Sequence, residues 1–129
     1  MVYLITAKKD AGKTHYGNLF GEELKAEGYK VIHLDGDEFR GERKNNDFTD
    51  KGRIKNLTDA AKLAAEFESK GYIVILSFVA PRKEWRYMMR SYWKESIVVY
   101  LPGGILWPGT TYDRPDKDEL MIHDLYSVK

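Results

Sequence analysis

The sequence predicts a three-layer α/β sandwich, in which helices cover both faces of a mostly parallel sheet of four to five strands. Four apolar runs rich in aliphatic and β-branched residues alternate with segments whose apolar residues recur at helical spacing. A short turn that ends in Gly-Lys-Thr lies between the first run and the first helical segment. This alternation favours parallel βαβ units with right-handed crossovers over an antiparallel sheet.

The composition limits the number of domains, the partners and the cysteine chemistry that the protein can have. The chain has 129 residues, with 21 Lys and Arg against 20 Asp and Glu and no Cys, so we expect one domain over residues 1–129. The balanced charge argues against nucleic acid or a membrane surface as a partner. The lack of Cys excludes disulfides, thiol catalysis and zinc-thiolate sites. No apolar run is long enough to span a bilayer and no signal-peptide pattern is visible, so we expect a cytoplasmic protein.

The first unit is a strand, a phosphate-binding loop and a helix. Residues 2–6 form a continuous apolar run, typical of a strand buried on both faces. Residues 7–14, the phosphate loop, read A-K-K-D-A-G-K-T and match G-x-x-x-x-G-K-[ST] except at the first glycine. We expect Lys13 to act in catalysis by reaching the β- and γ-phosphates of ATP, and Thr14 to bind magnesium. The residues expected at the ATP site are Ala7, Asp10, Ala11, Gly12, Lys13, Thr14 and His15.

The first helix is followed by a second strand that ends in acidic residues. The first helix is indicated by the spacing of Tyr16, Leu19, Phe20 and Leu24, and Gly28 ends it. Residues 30–34 read as the second strand, followed by D-G-D-E-F-R at positions 35–40, where ligands bind in open α/β sheets. The polar residues 41–49 are interpreted as a mobile loop over the site.

The remaining elements follow from periodicity. A long helix is predicted over residues 50–69, a strand over 72–78 and a strand over 97–101. Pro81 occupies a plausible first helical position before a stripe that we interpret as core packing. That stripe consists of Trp85, Met88, Met89, Tyr92 and Trp93. Beyond it we expect a Gly/Pro-rich loop over residues 103–115 and a short final strand at 119–123.

Asp35 and Asp37 are the candidate catalytic carboxylates. One can position or deprotonate a hydroxyl while the other serves magnesium, and we assign the metal to Thr14 and Asp35. The alternative is a solvated turn whose Asp caps the next helix. The third strand ends without an acidic residue, and Ser77 stands where many related ATPases hold magnesium through an Asp.

Several motifs in order resemble those of adenylylsulfate kinase: the phosphate loop, L-D-G-D-x-x-R, F-T-x-x-x-R-x-x-N-L, F-V-A-P and R-x-x-x-R. The likeness covers about residues 2–100 and resumes more weakly at 107–120. It implies a nucleoside-kinase-like P-loop NTPase fold. It also implies an ATP- and magnesium-dependent kinase of sulfate assimilation, which phosphorylates the 3′-hydroxyl of adenosine 5′-phosphosulfate, a small nucleotide.

The resemblance also assigns substrate contacts. By it, Asp35 or Asp37 lies near the acceptor hydroxyl, Phe48 stacks on the adenine, and Trp107 lines up with a second aromatic. Both rings could instead be packed in the core or in a loop. The full set of residues implied at the acceptor site is Asp37, Arg40, Phe48, Arg53, Asn56, Val79, Ala80 and Trp107.

The chain departs from the family pattern in several places. Ala7 replaces the first loop glycine, residues 9–11 read K-D-A in place of small, glycine-rich residues, and Ala80 replaces a serine. Only residues 102–106 stand where the family carries a lid with cations over the phosphates. The cations that might replace that lid are Arg43, Lys44, Arg114 and Lys117. Two alternatives therefore stay open: a kinase for another nucleoside, nucleotide or polynucleotide end, and a nucleotide-binding module without turnover. A homodimer is a further open expectation.

Overall fold

The computed structural model describes residues 1–42, 49–106, 111–116, 118 and 119. Its sheet has four parallel strands, β1 (Val2–Thr6), β2 (Val31–Asp35), β3 (Ile73–Phe78) and β4 (Ser96–Tyr100), in the order β2-β3-β1-β4. The helices are α1 (Lys13–Ala26), α2 (Gly36–Glu42), α3 (Asp50–Ser69) and α4 (Lys83–Arg90). No helix in this part of the chain is both long and apolar enough to cross a bilayer.

Alternating residues of the central strands build two cores, one on each face of the sheet. Val2 and Leu4 of β1 belong to a cluster with Leu57 and neighbouring residues of α3 and with Met89 of α4. Ile5 of the same strand belongs to a second cluster, which includes residues of α1. Because side chains alternate between the faces of a strand, continuous apolar runs require cover on both sides. The predicted three-layer α/β fold is confirmed.

The register brings the carboxyl ends of the strands to one edge. Thr6 of β1 lies opposite Phe78 of β3 and Tyr100 of β4, and Asp35 of β2 lies opposite Ser77. The segments that leave β1, β2 and β3 therefore emerge side by side. This edge is where the phosphate loop, α2 and the turn after β3 meet.

Helix α1 packs differently from its predicted face. Tyr16 and Leu24 are buried as expected, whereas Leu19 is 53% exposed. The remaining buried positions are Gly17 and Gly21, whose lack of a side chain lets the helix approach β2 and β3 closely. An apolar pattern cannot reveal a face that is partly made of glycine.

Helix α4 is shorter than its apolar stripe. Arg82 is the N-cap residue, so Pro81 precedes the helix and the prediction that it starts there is wrong. The helix ends at Arg90, and the Ser91 hydroxyl donates to the Met88 carbonyl at 2.5 Å. Trp93 lies beyond the helix but is buried in the core cluster with Met89, and its indole N–H donates to the Ala61 carbonyl at 2.9 Å.

The other helix and strand boundaries agree with the predicted ones to within a residue or two, except that helix α2 was not predicted. Helix α3 spans the predicted residues 50–69, and its N-cap Thr49 accepts a hydrogen bond from the Gly52 amide at 3.3 Å. Residues 36–42 form α2, so the first two residues of the predicted loop 41–49 are helical. Most of that loop, and residues 120–123 of the predicted final strand, lie outside the described residues.

Candidate active site

A cavity of about 550 Å³ opens at the carboxyl edge of the sheet. It lies where the segments after β1, β2 and β3 meet, which is the usual ligand position in open α/β sheets. Most predicted site residues that the structure describes line this single cavity. They are Asp10, Gly12, Lys13, Thr14, His15, Asp35, Asp37, Arg40, Arg53, Asn56, Val79 and Ala80.

The phosphate loop turns tightly between β1 and α1. Gly12 has φ 94° and Asp10 has φ 61°, a left-handed conformation that Asp adopts more readily than most residues. Ala7 is fully buried in the core cluster that also contains Tyr16, and Ala11 packs against that cluster. The sequence predicted both alanines at the ATP site. Neither Ala7 nor Ala11 lines the cavity, so both lie behind its surface.

Lys13 is held across the loop at the start of α1. Its ammonium donates to the Lys8 carbonyl at 3.1 Å. Burial lowers the pKa of Lys13, because desolvation disfavours the charged form, and the carboxylates of Asp37, Asp35 and Asp10 act in the opposite direction. A partly desolvated cation among carboxylates is well placed to interact strongly with an incoming phosphate.

Asp35 connects the loop to α2. One oxygen of its carboxylate accepts a hydrogen bond from the Thr14 hydroxyl, and the other accepts from the Glu38 amide at 3.2 Å. The second contact resembles helix capping. Asp35 therefore also caps the next helix, as the alternative interpretation of D-G-D predicted. Asp37 lies in the first turn of α2 and faces the same cavity.

The Thr14–Asp35 pair suits a magnesium ion. Hydroxyl and carboxylate oxygens are hard donors, and magnesium usually takes only one or two protein ligands beside water and phosphate oxygens. Within the described ranges no group of three or more His, Asp or Glu side chains forms a complete metal cage. The donor set therefore fits an ion that shares its coordination with a bound nucleotide.

Arginines and an amide line the wall of the cavity formed by α2 and α3. Arg40 belongs to α2, while Arg53 and the 3% exposed Asn56 lie three residues apart on α3. The Arg53 guanidinium lies 5.6 Å from the centre of the Trp85 ring, within cation–π range. Trp85 is buried in the core cluster with Leu57 and Met89, as predicted, and it also contributes to the lining of the cavity.

The turn after β3 is fixed by contacts that the sequence did not reveal. Ala80 has φ 40°, a strained conformation for a residue with a side chain. The Thr6 hydroxyl donates to the Val79 carbonyl at 2.6 Å, and the Asp113 amide donates to the Pro81 carbonyl at 2.6 Å. This wall of the cavity is thus secured from β1 and from residues 111–116.

Arg86 makes most of the hydrogen bonds that hold this wall of the cavity in place. It is fully buried beside the equally buried Glu119, to which it donates at 2.7 Å and 3.2 Å. It also donates to the carbonyls of Ala80 at 2.7 Å and Asp113 at 2.6 Å. The sequence pointed to Arg86 only as the first arginine of the R-x-x-x-R motif, and it did not predict these contacts.

His33 is a residue that sequence reasoning missed. Its ring nitrogens lie 2.9 Å from the Asn18 amide oxygen and 2.6 Å from the Ser77 hydroxyl. Ser77 also contacts the Lys13 carbonyl at 3.2 Å, which links the sheet to the start of α1. Burial lowers the pKa of His33. Ser77 therefore helps to position the phosphate loop, and it does so from the place where many related ATPases have a magnesium-binding Asp.

Phe48 and Trp107, the two predicted base-stacking residues, lie outside the described residues. The purine sandwich stays a prediction.

Comparison with known proteins supports the resemblance that the sequence motifs indicated. The family model described as adenylylsulphate kinase matches residues 1–105. The adenylyl-sulfate kinase of Bacillus licheniformis is 38% identical over 88 residues, which cover 67% of this chain and 45% of that protein. A probable adenylyl-sulfate kinase of Aeropyrum pernix is 34% identical over 102 residues, covering 78% of this chain and 56% of that protein. The chain thus spans about half the length of the curated relatives it matches.

Solved structures show the same fold. A Mycobacterium tuberculosis APS kinase superposes with a TM-score of 0.77 at 23% identity, covering 90% of this chain and 80% of that one. A structure of that kinase in complex with AMPPNP and APS gives a TM-score of 0.72 over 77% of this chain and 60% of that one. A gluconokinase of Sinorhizobium meliloti gives 0.60 at 22% identity, covering 79% and 57%. At these identities the likeness concerns the fold alone.

Proposed function

The chain belongs to the adenylylsulfate kinase family, and from this premise we propose that it transfers the γ-phosphoryl group of ATP to the 3′-hydroxyl of adenosine 5′-phosphosulfate. One observation carries the proposal: Lys13, the Asp35–Asp37 pair and Arg53 line one cavity. Phosphoryl transfer asks the protein mainly for positioning and electrostatic stabilisation. A loop, a metal-binding pair, a carboxylate and arginines on one cavity are the parts that this reaction needs.

On the donor side, the phosphate loop and the start of α1 bind the β- and γ-phosphates, and Lys13 neutralises charge that grows in the transition state. Thr14 and Asp35 are the residues that would hold magnesium. A bound magnesium ion would neutralise part of the charge on the phosphates. Asp10, Gly12 and His15 line the cavity beside them, and Ala7 and Ala11 support the loop from the core side.

On the acceptor side, Asp37 orients the hydroxyl that is phosphorylated, with Asp35 as the alternative carboxylate. Arg40 and Arg53 bind the phosphosulfate, since a guanidinium offers a planar fork to two oxygens of one anion. The remaining proposed acceptor contacts are Asn56, Val79, Ala80, Phe48 and Trp107. We further place the reaction in the cytoplasm, since a chain without Cys suits a reducing compartment.

The test is a coupled ATP-consumption assay with adenosine 5′-phosphosulfate against a panel of nucleosides and nucleotides. We expect turnover with the phosphosulfate and much less with unsulfated acceptors. Lys13→Ala is expected to abolish turnover while thermal melting stays near that of the wild type, because Lys13 serves phosphate charge and not the core. Turnover that survives Lys13→Ala would show that ATP is bound elsewhere.

A second function, nucleotide binding without turnover, is favoured by one feature. Only residues 101–106 lie between the end of β4 and Trp107, so the chain holds no long segment there to supply cations over the phosphates. Titration of the wild type with ATP beside the turnover assay separates the two functions. Tight binding without consumption of ATP, with every acceptor in the panel, would favour the binding module.

A further inference from the structure

Residues 103–106, which we call the brace, fold back from β4 onto the phosphate loop. The Ile105 amide donates to the Lys9 carbonyl at 2.8 Å, and the two residues form an antiparallel bridge. Gly103 and Gly104 both have positive φ, 91° and 84°, so the reversal depends on glycine. The brace is therefore built against the loop rather than extended past it.

The contact at Gly104 leaves no room for a side chain. A Cβ atom there would lie 2.6 Å from the Lys9 carbonyl oxygen and within 3.1 Å of side-chain atoms of Lys8 and Ala11. A Cβ atom at Gly103 would meet nothing within 4 Å. The middle of the phosphate loop, which is bulkier than the usual glycine-rich form, is thus supported by backbone that approaches it closely.

The brace also presents apolar side chains to the cavity. Ile105 and Leu106 are 59% and 41% exposed, and both line the same cavity as Lys13 and Asp37. Scattered exposed apolar residues are ordinary on a protein surface. Two neighbours at the mouth of one cavity, next to the phosphate loop, form a surface on which a flat ring could lie.

The sheet order decides which substrate meets this surface. The proposed acceptor residues that the structure describes follow β2 and β3 or lie on α3, whereas the brace follows β4, on the other side of β1. Trp107 is the one proposed acceptor contact that also follows β4, and it lies outside the described residues. In phosphoryl transfer the attacking and leaving oxygens are roughly in line, on opposite sides of the transferred group. The leaving nucleotide must then extend away from the acceptor, towards β4.

We propose that the brace is the donor side of the nucleotide site: its backbone supports the phosphate loop, and the side chains of Ile105 and Leu106 contact the base of ATP. This inference rests on the proposed function only in that ATP binds at the phosphate loop. Aliphatic side chains pack on the faces of any base, so the contact adds affinity without selecting adenine by hydrogen bonds.

The experiment measures equilibrium binding of two probes in the presence of magnesium, ATP and inorganic tripolyphosphate, which lacks a base. Gly104→Ala is compared with Gly103→Ala, since both substitutions meet a positive φ but only the first meets the loop. We expect Gly104→Ala to weaken both probes by roughly tenfold or more and Gly103→Ala by less than about threefold. Thermal melting of each variant shows whether it is folded.

The second pair of variants isolates the side chain. Ile105→Ala keeps the amide that bonds Lys9 and is expected to weaken ATP by roughly fivefold while leaving tripolyphosphate unchanged. Leu19→Ala, which removes a similar exposed side chain from α1 away from the cavity, is the control and should alter neither. This pair decides the question even if Gly104→Ala does not fold.

The outcomes are distinguishable. If the wild type binds ATP but Ile105→Ala binds ATP and tripolyphosphate like the wild type, the base contact is wrong. If folded Gly104→Ala behaves like Gly103→Ala, the support of the loop is wrong. A wild type that binds neither probe would overturn the proposed function and this inference together. Binding without turnover would overturn the proposed reaction alone.

Discussion

Replacing Arg86 tests whether residues 111–119 are fastened to the wall of the cavity as the structure has them. Arg86 and Glu119 are both fully buried, and Arg86 satisfies the carbonyls of Ala80 and Asp113 as well. Arg86→Met keeps much of the side-chain volume but removes every one of these donors. It leaves a buried carboxylate and two buried or half-buried carbonyl groups without the partner that Arg86 provided.

The expected loss is large. Removing one partner of a buried ion pair typically costs about 3–5 kcal/mol, because the other charge stays in a medium of low dielectric. A domain has only about 5–15 kcal/mol of stability in total. For a chain of this length the loss corresponds to a fall in Tm of about 10 to 20 °C. Arg86→Lys is expected to recover only part of it, because an ammonium cannot reproduce the planar set of donors.

The assay is chemical and thermal unfolding, with Lys83→Met as the matched control. Lys83 pairs with Asp116 between the same two segments, but both side chains are substantially exposed, so the control should change stability little. The double variant with Arg86→Met and Glu119→Leu is expected to be more stable than either single variant, since no charge is left buried. An Arg86→Met protein that melts with the Lys83→Met control would refute the buried pair.

Three further predictions concern catalysis and pH. Asp37→Asn should lower kcat by at least about tenfold with little effect on ATP affinity, and unchanged kcat in both Asp37→Asn and Asp35→Asn would exclude the pair from catalysis. Arg53→Ala should weaken adenosine 5′-phosphosulfate far more than adenosine in competition assays, whereas equal losses would exclude a role in binding the anion. Burial, opposed by the hydrogen bond with Thr6, raises the pKa of Tyr112 from 10.0 to about 12. Since the unfolded state loses this proton first, up to about 3 kcal/mol of stability present below pH 10 should be lost as the pH rises to about 12, and Tyr112→Phe should lack that component in alkaline unfolding.

The amino-acid sequence determined the architecture to a large extent. Four strands and the 20-residue helix α3 follow from periodicity, because each must bury a continuous run or a stripe of apolar side chains. The phosphate loop follows from its spacing, and the fold explains why acidic residues after β2 come next to it. In parallel sheets the carboxyl ends of neighbouring strands share an edge, so this proximity is a consequence of topology.

What the sequence could not determine are contacts between residues far apart in the chain. Arg86 and Glu119 are 33 positions apart, and no local pattern pairs them. Arg53 and Trp85 meet only because α3 and α4 pack on the same face of the sheet. The buried face of α1 was predicted only in part, because two of its four positions are glycine, which carries no apolar signal.

The tertiary structure also decided the role of the segment after β4. From the sequence, residues 102–106 were only a short connection in the place where the family resemblance implies a lid. In the folded chain Gly104 and Ile105 lie against the phosphate loop, through one hydrogen bond and a contact that admits no Cβ atom. Such a contact depends on where two separate turns meet in space. Local propensity describes each turn by itself, and the packing of the sheet alone brings them together.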